Sequence, residues 1–261
     1  MKRLRRRTAL ITGASSGMGI EYARQLAAMG ANLILTARRE QALEALQQEL
    51  EPTGVQITTI PHDLGQSGSA ALLWNTIREK NLTVDILVNN AGYGAFGAFD
   101  EIAMDKEESM LRLDIISLVQ LTRLVAVEMK KRGWGRILQV ASVAAYQPAP
   151  LFASYAAAKA FVLNYSIAIH NELRGTGVSC TVLSPGVTRT GFFDAADMQQ
   201  LSLFQRATMM SSQRAVRIGI RAMLKKRSAV VPGVINSLLV FTNRFVGRGM
   251  SAAIAKKMMT V

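Results

Sequence analysis

Tyr155-Ala-Ala-Ala-Lys159 sets a phenol and an ammonium four residues apart, with the hydroxyl of Ser142 thirteen residues before the tyrosine. On a helix, positions i and i+4 lie above one another on one face, with Cβ atoms roughly 5–6 Å apart. Both groups then point into the same space. An ammonium beside a phenol favours the phenolate, so the ordinary tyrosine pKa of about 10 is expected to fall toward neutrality. A tyrosine tuned in this way can act as an acid/base catalyst near pH 7. The spacing alone proves nothing, since a chain of 261 residues with five tyrosines reaches it readily by chance. The elements around it decide.

Short β-branched or leucine-rich runs at Ala9–Gly13, Asn32–Ala37, Gln56–Ile60, Ile86–Asn89, Arg136–Ala141, Ser179–Ser184 and Ala229–Val231 read as strands. Helical patterns lie between them near 17–29, 39–50, 67–80, 105–132, 152–174 and 212–226. Alternating apolar strands and helices imply a parallel sheet covered on both faces. The expected fold is a single-domain α/β Rossmann fold, a doubly wound parallel sheet of about seven strands flanked by helices. No Pro/Gly-rich linker, repeat or low-complexity stretch interrupts it.

Thr12-Gly-Ala-Ser-Ser-Gly-Met-Gly19 follows the first strand and opens the first helix, with Gly13, Gly17 and Gly19 spaced differently from G-x-G-x-x-G. Glycines let backbone approach a pyrophosphate, and a helix N-terminus supplies unpaired N–H groups with positive dipole. Gly13, Ser15, Ser16, Gly17, Met18 and Gly19 are therefore candidate cofactor contacts. The second strand ends in Ala37 followed by Arg38-Arg39, where an acid would bind the ribose of NAD. An arginine there suits a 2′-phosphate, so Arg38 points to NADP(H) over NAD(H). Asp63-Leu64 after the third strand and Asn89-Asn90-Ala91-Gly92 after the fourth also fall at carboxyl ends of strands, where such sheets bind ligands.

Together these residues resemble the short-chain dehydrogenase/reductase family. Thr12–Gly19, Asp63, Asn89–Gly92, Ser142, Tyr155-x-x-x-Lys159, and Pro185-Gly186 with Thr188 and Thr190 stand in that family's order across residues 8–190. Asn89 through Gly97 and Val230-Val-Pro-Gly233 are similar to a bacterial subgroup, distantly similar to hydroxysteroid and long-chain 3-ketoacyl reductases. The resemblance implies that Tyr155 moves the proton on the substrate oxygen. It implies that Lys159 lowers that phenol's pKa and binds the nicotinamide ribose, while Ser142 hydrogen-bonds the carbonyl. Pro185, Gly186, Thr188 and Thr190 are implied to border the cofactor, and a homodimer or homotetramer is implied.

One position departs from the family. Its members usually carry an asparagine in the long helix after the fourth strand, where it bends the helix and joins the lysine to a proton relay. The matching position here is Asp114. An ionised carboxylate cannot donate, and near Lys159 it would pair with the ammonium and oppose the depression of Tyr155's pKa. A protonated one could stand in for the amide.

The segment after Pro185-Gly186, about 189–211, is implied to close over substrate. Phe192, Phe193, Met198, Leu201, Leu203, Phe204, Met209 and Met210 in it suit a bulky, apolar, lipid-like substrate, or else complete a core or an oligomer interface. The net charge of +13 sits at the ends: residues 2–7 carry five basic side chains, and Met198–Val261 carry eleven with no acid. Arg214, Arg217, Arg221 and Lys225 make one helical stripe, read as a solvated face or as a surface for acidic lipids or acyl-carrier phosphates. Nucleic acid is disfavoured, there being no recognition motif.

With one cysteine, Cys180, and two histidines, His62 and His170, no disulfide or metal site is expected. The apolar continuation of the basic start, Thr8–Thr12, is too short for a signal segment and runs into glycines, and no uninterrupted apolar run of about 18 residues is present to span a bilayer. A cytoplasmic protein is expected, with peripheral membrane contact as the alternative location. An NADP(H)-binding sensor or membrane-associated protein with weakened catalysis is the alternative function.

Overall fold

Strands β1 (Thr8–Thr12), β2 (Asn32–Ala37), β3 (Ile57–Pro61), β4 (Ile86–Asn89), β5 (Gly135–Val140), β6 (Val178–Leu183) and β7 (Ala229–Val230) form one parallel sheet in the computed structural model, which describes residues 4–188 and 209–259. Their order is β3-β2-β1-β4-β5-β6-β7. The helices are α1 (Gly17–Ala28), α2 (Glu40–Leu50), α3 (Ser69–Glu79), α4 (Met104–Leu111), α5 (Leu118–Lys131), α6 (Ala153–Glu172), α7 (Ser212–Leu224), α8 (Val234–Thr242) and α9 (Arg248–Met259).

The two-residue period of a strand explains the two layers of core. Ile11, Leu35, Val88 and Leu138 face one side, where Tyr22, Leu26, Leu43, Val216 and Ile220 of α1, α2 and α7 cover them. Their neighbours Leu10, Ile34, Leu87 and Ile137 face the other, under Leu73 and Ile77 of α3 and Leu121 and Val125 of α5. Cys180 belongs to this second layer, and burial pushes its thiol up to about 12, which keeps it unreactive. On α7, Val216, Gly219, Ile220 and Met223 are buried while Arg214, Arg217, Arg221 and Lys225 are exposed, so the basic stripe is the outward face of an amphipathic helix.

The expected strands and helices are present with ends shifted by a few residues, as end fraying and local turns allow. Two features differ in kind. The long helix expected over 105–132 contains a π-helical turn at Arg112–Ser117 between α4 and α5. The chain after Pro232, for which no helix was expected, forms α8, and α9 follows it.

The chain builds outward from β1 to β3, then returns to β4 on β1's other side. Connections leaving β1 and β4 diverge, which opens a crevice at their carboxyl ends. A buried polar knot braces that edge. Asn89 at the end of β4 donates to Thr122 Oγ1 of α5 and to Gln139 Oε1 of β5, both at 2.9 Å, and Gln139 donates to Thr122 at 2.8 Å. All three side chains are buried, so removing one leaves polar atoms that water cannot reach. Asn89→Ala is expected to cost about 1–3 kcal/mol, seen as a lower urea midpoint with an unchanged m-value.

Candidate active site

The glycine loop folds tightly because its residues lack side chains where backbone must meet backbone. Gly13 has φ +66°, and a Cβ on it would stand 2.9 Å from Ala91 Cα. A Cβ on Gly19 would overlap the Gly13 carbonyl. α1 begins at Gly17 with Ser16 as N-cap, yet no side chain caps it and no acid occupies its first turn. Its leading N–H groups and positive dipole end are left for an anion. Arg39 reaches back to this loop, Nη2 donating to the Ser15 carbonyl at 2.9 Å, and Arg38 beside it is exposed. An uncapped helix start, a cradle that a Cβ would fill and Arg39 anchored beside it fit the pyrophosphate of a nicotinamide dinucleotide.

The residues after β4 lock this loop in place. Asn90 donates through Nδ2 to the carbonyls of Thr12 and Gly13, at 3.0 and 3.3 Å. The N–H groups of Asn90 and Ala91 both donate to Thr12 Oγ1, at 3.0 and 2.9 Å. Asp63 turns its carboxylate onto its own loop, accepting from the Gly65 N–H at 2.9 Å, and stays half-buried. Leu64 is core, and its carbonyl accepts from Ser117 Oγ at 2.6 Å, tying this loop to the end of the π turn. His62 bonds to Ser69 and His170 to the Cys180 carbonyl, so both serve the scaffold.

Tyr155 and Lys159 sit on the first turns of α6, and Ser142 immediately follows β5. Ser142 Oγ accepts the Ala144 N–H at 3.2 Å, and its hydroxyl lies near enough to the Tyr155 phenol to favour the phenolate, so serine and tyrosine meet across two elements. Phe152 packs edge-on to the Tyr155 ring at 5.3 Å, with Ala95, Met110 and Ala156 completing an apolar wall. Lys159 Nζ lies 5.5 Å from the Tyr155 ring centroid and 3.5 Å from the Val140 carbonyl.

Its principal partner is Asp114. The π turn carries this carboxylate inward, fully buried, with Oδ2 at 2.8 Å from Lys159 Nζ. Gly92 makes room, since a Cβ there would stand 2.6 Å from Asp114 Oδ1 and 3.1 Å from Lys159 Nζ. Neither carboxylate oxygen has a well-aligned hydrogen-bond donor. The contact is thus a close approach of carboxyl and amine at a buried site, and π turns often carry such functional side chains.

These surroundings reverse the expected shift of the tyrosine. Burial pushes the Tyr155 phenol above its ordinary value, and the Asp114 carboxylate pushes the same way. Lys159 and the Ser142 hydroxyl pull down but do not prevail. Lys159 is raised: burial opposes its charge, and the carboxylate of Asp114 and the phenol together overcome that. Asp114 is also raised, because burial outweighs the neighbouring ammonium.

Beyond β6, the Pro185 carbonyl accepts the Val143 N–H at 2.9 Å, joining this turn to the Ser142 segment. Gly186 packs against Asn236 of α8, and Thr188 forms an isolated parallel bridge with Met210. Thr190, Phe192, Phe193, Met198, Leu201, Leu203 and Phe204 lie outside the described residues. One contributor was missed in the sequence: Arg39, rather than Arg38, bonds to the glycine loop, and only its place in the Arg38-Arg39 pair hinted at this. Gly92, expected beside the cofactor, also forms the floor beneath the Lys159–Asp114 pair. Among the described residues, no cluster of three His, Cys, Asp or Glu side chains could hold a metal ion.

A sequence profile described as short chain dehydrogenase matches residues 7–201, and the chain belongs to that family. It is 30% identical to the ketoacyl reductase HetN of Nostoc sp. over 232 residues, 88% of this chain and 80% of that protein. A short-chain dehydrogenase from Sphingobium yanoikuyae, solved in complex with NADPH, superposes with a TM-score of 0.81 at 28% identity, covering 92% of this chain and 94% of that one. The bulky-bulky ketone specific alcohol dehydrogenase from Comamonas testosteroni superposes with a TM-score of 0.77 at 30% identity, covering 92% of each chain.

Proposed function

We propose that this protein is an NADP(H)-dependent oxidoreductase that interconverts a carbonyl and a secondary alcohol on an apolar, lipid-like substrate. The observation that carries this reading is the meeting of Ser142, Tyr155 and Lys159 at the carboxyl end of the sheet, beside a glycine loop with an uncapped helix start. When bound, the nicotinamide supplies or accepts the hydride. The residues of the chain align the reactants and handle the proton. In reduction, Tyr155 gives its proton to the substrate oxygen, and Ser142 hydrogen-bonds that oxygen as charge develops on it. Lys159 keeps a positive charge beside the phenol and is placed to hold the nicotinamide ribose.

Two features support the finer choices. Arg38 and Arg39 end β2 where NAD binding calls for an acid, and Arg39 is already anchored beside Ser15. The wall of Phe96, Phe152 and Met110 around Tyr155 is apolar, which suits a large aliphatic or alicyclic ketone. A ketoacyl reductase and a bulky-ketone dehydrogenase among similar proteins agree with such a substrate.

A second reading has an observation of its own. With Asp114 engaging Lys159 and Tyr155's pKa raised, proton abstraction at neutral pH is impaired, as in an NADP(H)-binding sensor with weakened catalysis. A panel of ketones, 3-ketoacyl thioesters and steroids separates the two: NADPH binding with no oxidation of it anywhere favours the sensor.

Three outcomes are expected. Tyr155→Phe should lower turnover by at least about a hundredfold while NADPH still binds, because the proton donor is gone; equal turnover would refute the role given to Tyr155. Arg38→Glu with Arg39→Glu should weaken NADPH binding by about ten- to a hundredfold and leave NADH unaffected or improved, read by cofactor fluorescence titration. For Asp114→Asn, the sign follows from the tyrosine. Alcohol oxidation needs the phenolate, which forms only as pH rises through Tyr155's raised pKa. Removing the carboxylate removes one cause of that rise and leaves the ammonium, so the oxidation profile should move to lower pH with activity retained or raised. An inactive Asp114→Asn protein would contradict this.

A further inference from the structure

We propose that α8, together with the short turn that follows it, docks this protein on an anionic lipid surface beside the mouth of its active site. The helix is built inside out. Its one buried side chain is polar: Asn236, 6% exposed, donates to the Pro232 carbonyl at 2.9 Å and packs against Gly186. Its apolar side chains face outward, with Val234 86%, Leu238 60% and Phe241 53% exposed. Their i, i+4, i+7 spacing puts these three on one face. Phe245, 76% exposed, extends the patch, its ring 5.3 Å from that of Phe241. α9 repeats the inversion, burying Ser251 and Ala255 and exposing Met250 and Ile254. A surface helix in water normally buries its apolar stripe, and one that shows it to solvent marks a contact site.

Charge selects the occupant. Arg244 and Arg248 flank Phe245 in sequence, both exposed, and no acidic residue occurs anywhere from Met198 to Val261. Apolar side chains with arginine beside them match the interfacial region of a bilayer containing acidic headgroups. A second copy of the chain laid on the same face would bring like charge against like charge. Among the described residues no helix is long and apolar enough to cross a membrane, so the contact would be peripheral. Among the described residues of the basic N-terminus, Arg7 takes no part in this patch. Arg7 precedes β1, at the opposite end of the sheet, where it pairs with Asp85 and covers Trp134.

The location gives the contact a use. α8 lies against the turn Val143–Tyr146 that follows Ser142, and Asn243 bonds to Gln147 at 2.6 Å. A lipid-borne apolar ketone would leave the bilayer next to the tyrosine.

The test is co-sedimentation of the full chain with vesicles of phosphatidylcholine alone or mixed with phosphatidylglycerol. Binding to the mixed vesicles should exceed binding to neutral ones by about tenfold or more and should weaken as salt is raised. Leu238→Ser with Phe241→Ser and Phe245→Ser should cut partition at least about tenfold, with the thermal midpoint and NADPH binding unchanged. Arg244→Ser with Arg248→Ser, which leaves the apolar face intact, should reduce binding to the mixed vesicles only. The proposal is overturned if the wild type stays in the supernatant with both vesicles or if both variants partition like wild type. It is equally overturned if the serine variant breaks up an oligomer in light scattering while lipid binding persists, since the face would then belong to a second copy. Partition is read without turnover, so a failure of the oxidoreductase reading leaves this result standing, and the reverse.

Discussion

The sheet reverses its direction of growth between β1 and β4, and the rest of the molecule is arranged around that reversal. Parallel strands send all their carboxyl ends the same way, so the loops after β1, β3, β4, β5 and β6 gather at one rim. Only where the connections part company is there room for a ligand among them. The polar knot of Asn89, Thr122 and Gln139 and the amide clamp of Asn90 on Thr12 and Gly13 keep that parting at a fixed width. Residues that read as ligand contacts in a linear sequence are here partly the brace that lets the ligand site exist.

Within that rim, electrostatics is governed by dehydration more than by the sign of the nearest charge. Lys159 sits near Tyr155, yet the phenol is raised, because burial outweighs the ammonium and Asp114 adds to the rise. At a buried site the field of the carboxylate partly cancels that of the ammonium at the phenol. The ammonium is shared between two clients, and the carboxylate, at 2.8 Å, is the nearer one.

What was legible in the chain were features whose causes are local. The strand runs, the helix periods, the glycine loop and the four-residue step from Tyr155 to Lys159 depend on a few neighbours in sequence, and they lie where those neighbours predict. Asp114 could be located by alignment of a pattern, and its alternatives named, but its partner and burial required the fold. The direction of Tyr155's shift was not legible, because burial is a tertiary quantity. Arg39 was overshadowed by Arg38, since which of two adjacent arginines turns inward depends on the start of α2. α8 escaped notice because its polar side is the buried one, and hydrophobic periodicity assumes the reverse. About residues 189–208, where a substrate cover was expected, the structure offers no description.

The π turn at Arg112–Ser117 has a mechanical side as well. A residue advances an α-helix by about 100°, so the wider turn sets the rotational phase of everything after it. Leu118, Leu121, Val125 and Met129 of α5 reach the core only in that phase. Deleting one residue to straighten the helix would swing this stripe sideways, toward solvent, while Met110 before the turn stayed put. The turn that points Asp114 at Lys159 is therefore held by hydrophobic packing well beyond it, and point substitution at position 114 can retune the chemistry without disturbing the frame.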